Sequence, residues 1–210
     1  WVLLRALELP HCLPLERWHE LCEQLSLHED EFAQWEEISR RMHVPFHDDQ
    51  IISQFQGYEQ LQELDWEGYQ RKYGDIHRLD RLLEAEGDSA DRYKASKQAD
   101  VLMLFYLFSA DELSELFAHM GYTLSPEAIP RNIHYYLART SHGSTLSRIV
   151  HSRVLARSDR RRSWHLFSEA LESDVADIQG GTTQEGIHLG AMAGTVDLIQ
   201  RAYTGLEVRD

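Results

Sequence analysis

Three polar segments carry residue types whose spacing could do chemistry. The first is Lys97-Gln98, two adjacent side-chain donors at the mouth of the apolar run from Ala99 to Leu107. An ammonium buried there without a partner would be costly. Lys97 must therefore pair with Asp100, reach back to solvent, or face a polar cavity. The cavity reading gives a convergent donor pair of the kind that holds the hydroxyls of a sugar ring. The second segment is Thr140-Ser141-His142-Gly143-Ser144-Thr145-Leu146-Ser147, directly before a helical pattern. A helix N-terminus exposes unpaired N–H groups and the positive end of the dipole. Gly143 permits close backbone approach, and Ser144 and Thr145 add hydroxyls, so the segment could receive an oxyanion or phosphate. The plain alternative makes Ser144 an ordinary N-cap.

The third segment is Gln179-Gly180-Gly181-Thr182-Thr183-Gln184-Glu185-Gly186-Ile187-His188, continuing through Gly190, Ala193 and Gly194. The small residues permit close helix packing or close ligand approach. His188 is expected in the first turns of the helix that Thr182-Thr183-Gln184-Glu185 opens. There it could donate to phosphate or move a proton near neutral pH; a lone helical His is otherwise structural. His47-Asp48-Asp49 lacks the partners of a metal array, and the paired carboxylates Asp30-Glu31 and Glu36-Glu37 read as solvated helix faces. There is no nucleophile elbow and no Walker loop.

The elements that must position these segments are helical. Leu15, Trp18, Leu21, Cys22 and Leu25 recur at helical spacing behind Pro14. Ser26-Leu27-His28-Glu29 reads as a capping box that opens a helix through Phe32, Trp35, Ile38 and Met42. Residues 44–73 are irregular and suggest a long ordered loop with short elements. A helix apolar nearly all round is expected over residues 96–108, buried on several sides. Ser109-Ala110-Asp111-Glu112 is a second capping-box pattern, followed by Leu113, Leu116, Phe117 and Met120, with Gly121 as the stop. Ser125-Pro126-Glu127 opens another segment. Residues 144–156 and 158–176 read as helices, and the last helix runs toward Tyr203 with Gly205 as its stop. Strand signal is almost absent. The fold class is therefore all-α, built of antiparallel helical hairpins.

Composition narrows the function classes. The chain has 210 residues and a net charge of -14, which disfavours nucleic acid and anionic membranes as partners. Hydrophobic content of 42% is enough for a core. Arg148, Arg153, Arg157, Arg160, Arg161 and Arg162 cluster locally. They read as a solvated helix face, the sharper alternative being positive potential near a phosphate site. Cys12 and Cys22 lie in apolar helical patterns and read as buried thiols, which fits a reducing, cytoplasmic setting. No apolar run reaches the ~18–20 residues that span a bilayer. The chain starts inside a helix-like pattern at Trp1-Val2-Leu3-Leu4, so it reads as part of something longer. Apolar faces left open would make it self-associate.

Taken together, the segments resemble glycoside hydrolase family 65, which includes maltose, trehalose, kojibiose and nigerose phosphorylases and some hydrolases. Lys97-Gln98-Ala99-Asp100-Val101 looks like the family's KQADV segment. His142-Gly143-Ser144-Thr145-Leu146-Ser147 looks like its HGSSLS loop, with Thr145 in place of the second Ser. Glu185-Gly186-Ile187-His188 followed by Ala191-Met192-Ala193-Gly194-Thr195 looks like its EGIH…AMAGT helix, and Gln54-Phe55-Gln56-Gly57-Tyr58 resembles its FxGY segment. The ordered set covers nearly the whole chain. The resemblance implies that residues 1–204 are the later helices of an (α/α)6-barrel catalytic domain, and that residues 205–210 begin an exit toward a following β domain. It implies that Lys97 and Gln98 bind the glucosyl unit. It implies that Ser144, Thr145 and His188 bind phosphate, that His142 and Gly143 belong to the same loop, and that Gly143 shapes it.

The family's general acid, a Glu, stands upstream of an asparagine-rich stretch. Neither is visible here, so no catalytic acid is assigned. Glu185 is expected to cap its helix, orient His188, or serve as a base. The implied reaction is inverting phosphorolysis of an α-glucosyl disaccharide, releasing β-glucose 1-phosphate, with inorganic phosphate as co-substrate and no metal or organic cofactor. The implied partners are the disaccharide, phosphate, the rest of the parent polypeptide and, if oligomeric, further copies. Two rivals stand beside it: an inverting hydrolase of the same family, trehalase-like or kojibiose hydrolase-like, which needs a carboxylate base, and a non-catalytic helical binding module.

Overall fold

The structure, a computed structural model, describes residues 1–206; of the expected exit segment, residues 207–210 lie outside the described residues. Eleven α-helices follow one another in the described chain: α1 (Val2–Cys12), α2 (Leu15–Leu25), α3 (Glu29–Arg41), α4 (Trp66–Tyr73), α5 (Leu79–Ala85), α6 (Leu102–Leu107), α7 (Ala110–His119), α8 (Ala128–Leu137), α9 (Thr145–Leu155), α10 (Arg160–Glu172) and α11 (Leu189–Asp197). One antiparallel pair, β1 (Phe46–His47) and β2 (Ile51–Ile52), aligns Phe46 with Ile52 and His47 with Ile51. The all-α class is what the structure has.

The chain divides into two compact units, residues 1–44 with 110–125, and residues 45–109 with 126–210. In the first unit α1 packs on α2 and α3. Trp18, Phe32 and Trp35 form a ring ladder with centroids 5.6 and 5.0 Å apart. Leu113 and Phe117 of α7 are buried, one helical turn apart. Ser39 in α3 lies 2.8 Å from His119 Nε2 in α7. Ser26 does not open α3. It closes α2 in the left-handed region at φ 53°, and the cap moves two residues on, where the Glu31 carboxylate accepts the His28 N–H at 2.8 Å. Gly121 ends α7 at φ 83° as expected, and Tyr122 N–H reaches back to Phe117 O at 2.8 Å. The thiols differ from expectation: Cys12 is exposed and Cys22 half-buried, because α1 and α2 bury no residue fully.

In the second unit α9 and α10 form an antiparallel hairpin, joined by a turn that Asp159 caps by accepting the Arg162 N–H at 3.0 Å. Ile149, Phe167, Ala170, Ala191 and Leu198 form the core between α9, α10 and α11. A Cβ on Gly194 would stand 2.7 Å from Ile149 Cγ2. That glycine lets α11 close on α9, whereas Gly190 faces open space. The chain leaves α11 through a π-helical turn, Leu198–Tyr203, whose last ring lodges its hydroxyl 2.9 Å from Ser163 Oγ and 3.2 Å from Ser152 Oγ. Asn132 in α8 clamps the β1–β2 pair. Its amide accepts from Ile52 N–H and donates to Gln50 O, both at 2.8 Å.

Helix α6 is much shorter than the expected helix over residues 96–108. Ser96 is drawn into a parallel bridge with Thr140, which consumes the backbone groups a helix would need. Leu102 is buried, but Leu107 is exposed and the positions between are half-buried. Among the described residues no helix is long and apolar enough to cross a membrane.

Candidate functional site

The bridge that shortens α6 also assembles the first two polar segments. Ser96 N–H donates to Arg139 O at 2.7 Å, Ser141 N–H donates to Ser96 O at 2.8 Å, and Gly143 N–H donates to Lys97 O at 2.8 Å. A Cβ at position 143 would lie 2.5 Å from His77 O and 2.9 Å from Lys97 Cγ. Only a glycine fits between them, so Lys97 and the loop over residues 142–145 share one surface. The FxGY-like segment joins the same seam, because Gln54 Nε2 donates to Ser96 Oγ. Lys97 is half exposed and stands 3.5 Å from Asp80 Oδ2. Its expected partner, Asp100, accepts instead from Gln98 Nε2 at 3.2 Å.

The loop leads straight into α9. Ser144, in extended conformation, holds the N-cap position without a side-chain cap bond, so its hydroxyl is not spent on the helix. Thr145 is the first helical residue and is buried. The N–H groups of a first helical turn have no carbonyl four residues back, so the dipole's positive end opens beside Ser144 and Thr145.

The first residue of the loop, the half-buried His142, pairs with the fully buried His151 of α9. His142 adopts φ 56°, a left-handed conformation uncommon outside glycine. His151 Nδ1 lies 2.8 Å from Ser147 O. A carbonyl can only accept, so His151 carries its proton on Nδ1. Ser147 Oγ, 3.0 Å from His142 Nδ1, is then free to donate to that nitrogen. Burial, His151 and the nearby Arg148 push the His142 imidazole down to about 2. Burial takes His151 to about 4, partly opposed by its bond to Ser147. Both rings are neutral near pH 7, and their centroids stand 4.6 Å apart.

Arg148 departs furthest from expectation. Its solvated-face reading fails: the side chain is 1% exposed. Nε donates to Glu169 Oε2 at 3.3 Å, Nη1 to His142 O at 3.4 Å, and Nη2 to His77 Nε2 at 3.1 Å. A guanidinium has no lone pair to offer, so His77 must accept at Nε2 and carry its proton on Nδ1, which lies 2.9 Å from Asp75 Oδ1 but makes no hydrogen bond to it. Arg160, Arg161 and Arg162 are exposed, as the solvated-face reading expects.

His188 stands differently from expectation too. Residues 183–185 make only a 3-10 turn, Gly186 follows at φ 139°, and His188 is the N-cap residue of α11 rather than a member of its first turns. Its orienting partner is Asp174, not Glu185. Asp174 Oδ1 stands 2.5 Å from His188 Nδ1, and Oδ2 accepts the His188 N–H at 2.9 Å. These bonds hold the Asp174 carboxyl below the usual carboxylate range. Glu185 is exposed and closes no helix. Asp177 ties the glycine turn, accepting from Gly181 N–H at 2.7 Å and from Thr183 Oγ1 at 3.1 Å. Gln179 Nε2 reaches His142 O at 3.3 Å. The third segment is therefore bonded to the second through Gln179, while His188 is anchored on the exit of α10.

Sequence reasoning missed the roles of His77, Arg148 and Asp174. Arg148 had one usable signal: it falls one turn past the hydroxyl loop. His77 and Asp174 have none in their own neighbourhoods. A surface hollow lined by Trp66, Glu67, Gln70, Arg71 and Ile76 is built on other residues. Among the described residues no group of three or more His, Cys, Asp or Glu is placed to hold a metal ion.

Comparison with known proteins adds four findings. The profile of a family described as "Glycosyl hydrolase family 65 central catalytic domain" matches residues 1–197. An uncharacterised glycosyl hydrolase of Mycobacterium tuberculosis is 59% identical over all 210 residues, which span 16% of that protein. A trehalose 6-phosphate phosphorylase of Lactococcus lactis is 40% identical over 176 residues, 83% of this chain and 23% of the relative. The chain thus spans a sixth to a quarter of the length of these curated relatives. Among solved structures, a protein assigned as a kojibiose phosphorylase from the human microbiome shares the fold, with a TM-score of 0.66, 22% identity, and coverage of 91% of this chain and 26% of that one. The expectation of helical hairpins from the later part of an (α/α)6 barrel agrees with that likeness.

Proposed function

The chain belongs to glycosyl hydrolase family 65, and from that premise we propose that it supplies the sugar- and phosphate-binding segments of an inverting glycoside phosphorylase acting on an α-glucosyl disaccharide. The observation that carries this reading is the bond from Gly143 N–H to Lys97 O. It sets a donor pair suited to sugar hydroxyls, Lys97 and Gln98, against a loop suited to an anion, Ser144 and Thr145.

In the proposed reaction a general acid outside this chain protonates the glycosidic oxygen as its bond to the anomeric carbon breaks. A phosphate oxygen forms the new bond from the opposite face, giving β-glucose 1-phosphate and the released sugar. The loop and the start of α9 supply positioning and electrostatic support to the charged nucleophile. His188, held by Asp174, is the further phosphate ligand. No step calls for a metal or an organic cofactor.

The carboxylates around the loop favour phosphate over water. An inverting hydrolase needs a carboxylate base free to take a proton. Asp80 stands 3.5 Å from Lys97, Glu169 stands 3.3 Å from Arg148, and Asp174 stands 2.5 Å from His188. Each of these three is engaged with a basic group, which leaves the exposed Glu185 as the base that a hydrolase would have to use. The phosphorylase name of the lactococcal relative points the same way.

The test is phosphate dependence, measured on the longest native polypeptide that carries this chain. Trehalose, trehalose 6-phosphate, maltose, kojibiose and nigerose are each incubated with and without inorganic phosphate, and β-glucose 1-phosphate is separated from free glucose. Phosphate-dependent β-glucose 1-phosphate is the expected product. Free glucose formed without phosphate would move the protein to the hydrolases. If no sugar turns over or binds, and Lys97→Ala and His188→Ala lower only the melting temperature, the segments are packing devices of a binding module.

A further inference from the structure

We propose that Arg148 is a positioning residue for the anion loop, an inference that rests on the phosphorylase reading: its buried guanidinium holds residues 142–145 in the conformation that receives phosphate. Arg148 sits on the first turn of α9, at the end where the helix dipole disfavours a cation. A guanidinium stays charged at any physiological pH, and a buried charge is tolerated only with partners. Packing is therefore an incomplete explanation for placing one there at 1% exposure.

Its three nitrogens explain the position. Nη1 donates to His142 O, and Gln179 Nε2 donates to the same oxygen. Two donors fix that carbonyl inward and hold His142 in its left-handed conformation. With the carbonyl turned in, the N–H of the same peptide, that of Gly143, points the other way and donates to Lys97 O at 2.8 Å, which ties the loop to the sugar-binding pair. Nη2 donates to His77, whose own carbonyl is the wall against which Gly143 is pressed. Nε donates to Glu169 on α10, and that carboxylate offsets the charge. One side chain thus fixes the loop from below, its outer wall, and the hairpin that carries it. Lysine could not replace it, since an ammonium is a point donor without the planar fork.

The test uses Arg148→Met and Arg148→Lys in the longest native polypeptide. Steady-state kinetics are measured at varied phosphate and varied disaccharide, with titration calorimetry of inorganic phosphate and a thermal melt. The expected result is a KM and Kd for phosphate raised by about tenfold or more in Arg148→Met, with KM for the disaccharide changed far less. Arg148→Lys is expected to recover only part of the loss. If Arg148→Met does not fold, Arg148→Lys carries the test by the same criterion. A folded variant with a lowered melting temperature and wild-type phosphate KM and Kd would overturn the proposal and reduce Arg148 to a structural residue.

The two readings fail separately. Wild-type turnover without phosphate, beside phosphate binding that depends on Arg148, would overturn the phosphorylase reading and leave the loop assignment standing. Phosphorolysis indifferent to Arg148 would do the reverse. A wild-type protein that neither binds nor uses phosphate overturns both.

Discussion

Asp174 engages His188 twice, its two carboxylate oxygens taking the ring Nδ1 at 2.5 Å and the backbone N–H at 2.9 Å. The double engagement fixes ring orientation and leaves Nε2 outside that contact. Asp174→Ala is expected to lower kcat/KM by about tenfold or more, chiefly through the phosphate KM. Kinetics on Asp174→Ala and Glu185→Gln side by side check this. A larger loss for Glu185→Gln would return the orienting role to Glu185.

Gly143 and Gly194 fill positions where a methyl has no room. Gly143→Ala would meet the His77 carbonyl, and Gly194→Ala would meet Ile149. Each is expected to destabilise by about 1–3 kcal/mol, read from chemical denaturation. Gly143→Ala should also weaken phosphate and sugar binding together, because it parts the loop from Lys97. Gly194→Ala should cost stability alone. An Ala variant at either site as stable as wild type would mean that the close approach does not exist.

His151 and His142 make stability fall in acid. His151 is depressed from an ordinary 6.5 to about 4 when folded, so the unfolded chain binds the proton first. The associated stability is complete above about pH 6.5 and falls as pH drops toward 4, by about 1.4 kcal/mol per unit at the steepest. His142 is depressed further and acts in the same direction. Denaturation at pH 5.5 and pH 7.5 should show the loss, and His151→Gln should flatten it. Equal pH dependence in wild type and variant would rule this origin out.

Tyr203 joins the two chains of the α9–α10 hairpin through Ser152 and Ser163. Tyr203→Phe keeps the ring packing against Phe167 and Trp164 and removes only the hydroxyl. The expected loss is about 1 kcal/mol, measured by thermal melting, with no change in kinetic constants.

The helices legible in the sequence were those with one apolar face. Leu15, Trp18, Leu21, Cys22 and Leu25 trace α2 to its observed ends, and Leu113 with Phe117 marks the buried side of α7. Residues 96–108 misled because an unbroken apolar run has no period to read. Its first residues were claimed by Thr140, a partner 44 positions away. The site was legible in the same uneven way. Lys97, Gln98, Ser144 and Thr145 announce themselves by chemistry and local order. Arg148 was hidden among other arginines, since its burial is set by α10 and His77 and not by its neighbours in sequence. Asp174 looks like any acidic residue at a helix exit. Only the fold brings it under His188.

The π-helical turn at Leu198–Tyr203 stores one residue more than an α-helix would need for the same rise. Removing a single residue there would restore ordinary winding over the same turn, so the chain beyond would keep its direction. Tyr203 closes that wide turn with its hydroxyl seated between Ser152 and Ser163. The surplus residue is slack taken up in one coil, and the tyrosine hydroxyl pins that coil to the hairpin beneath it.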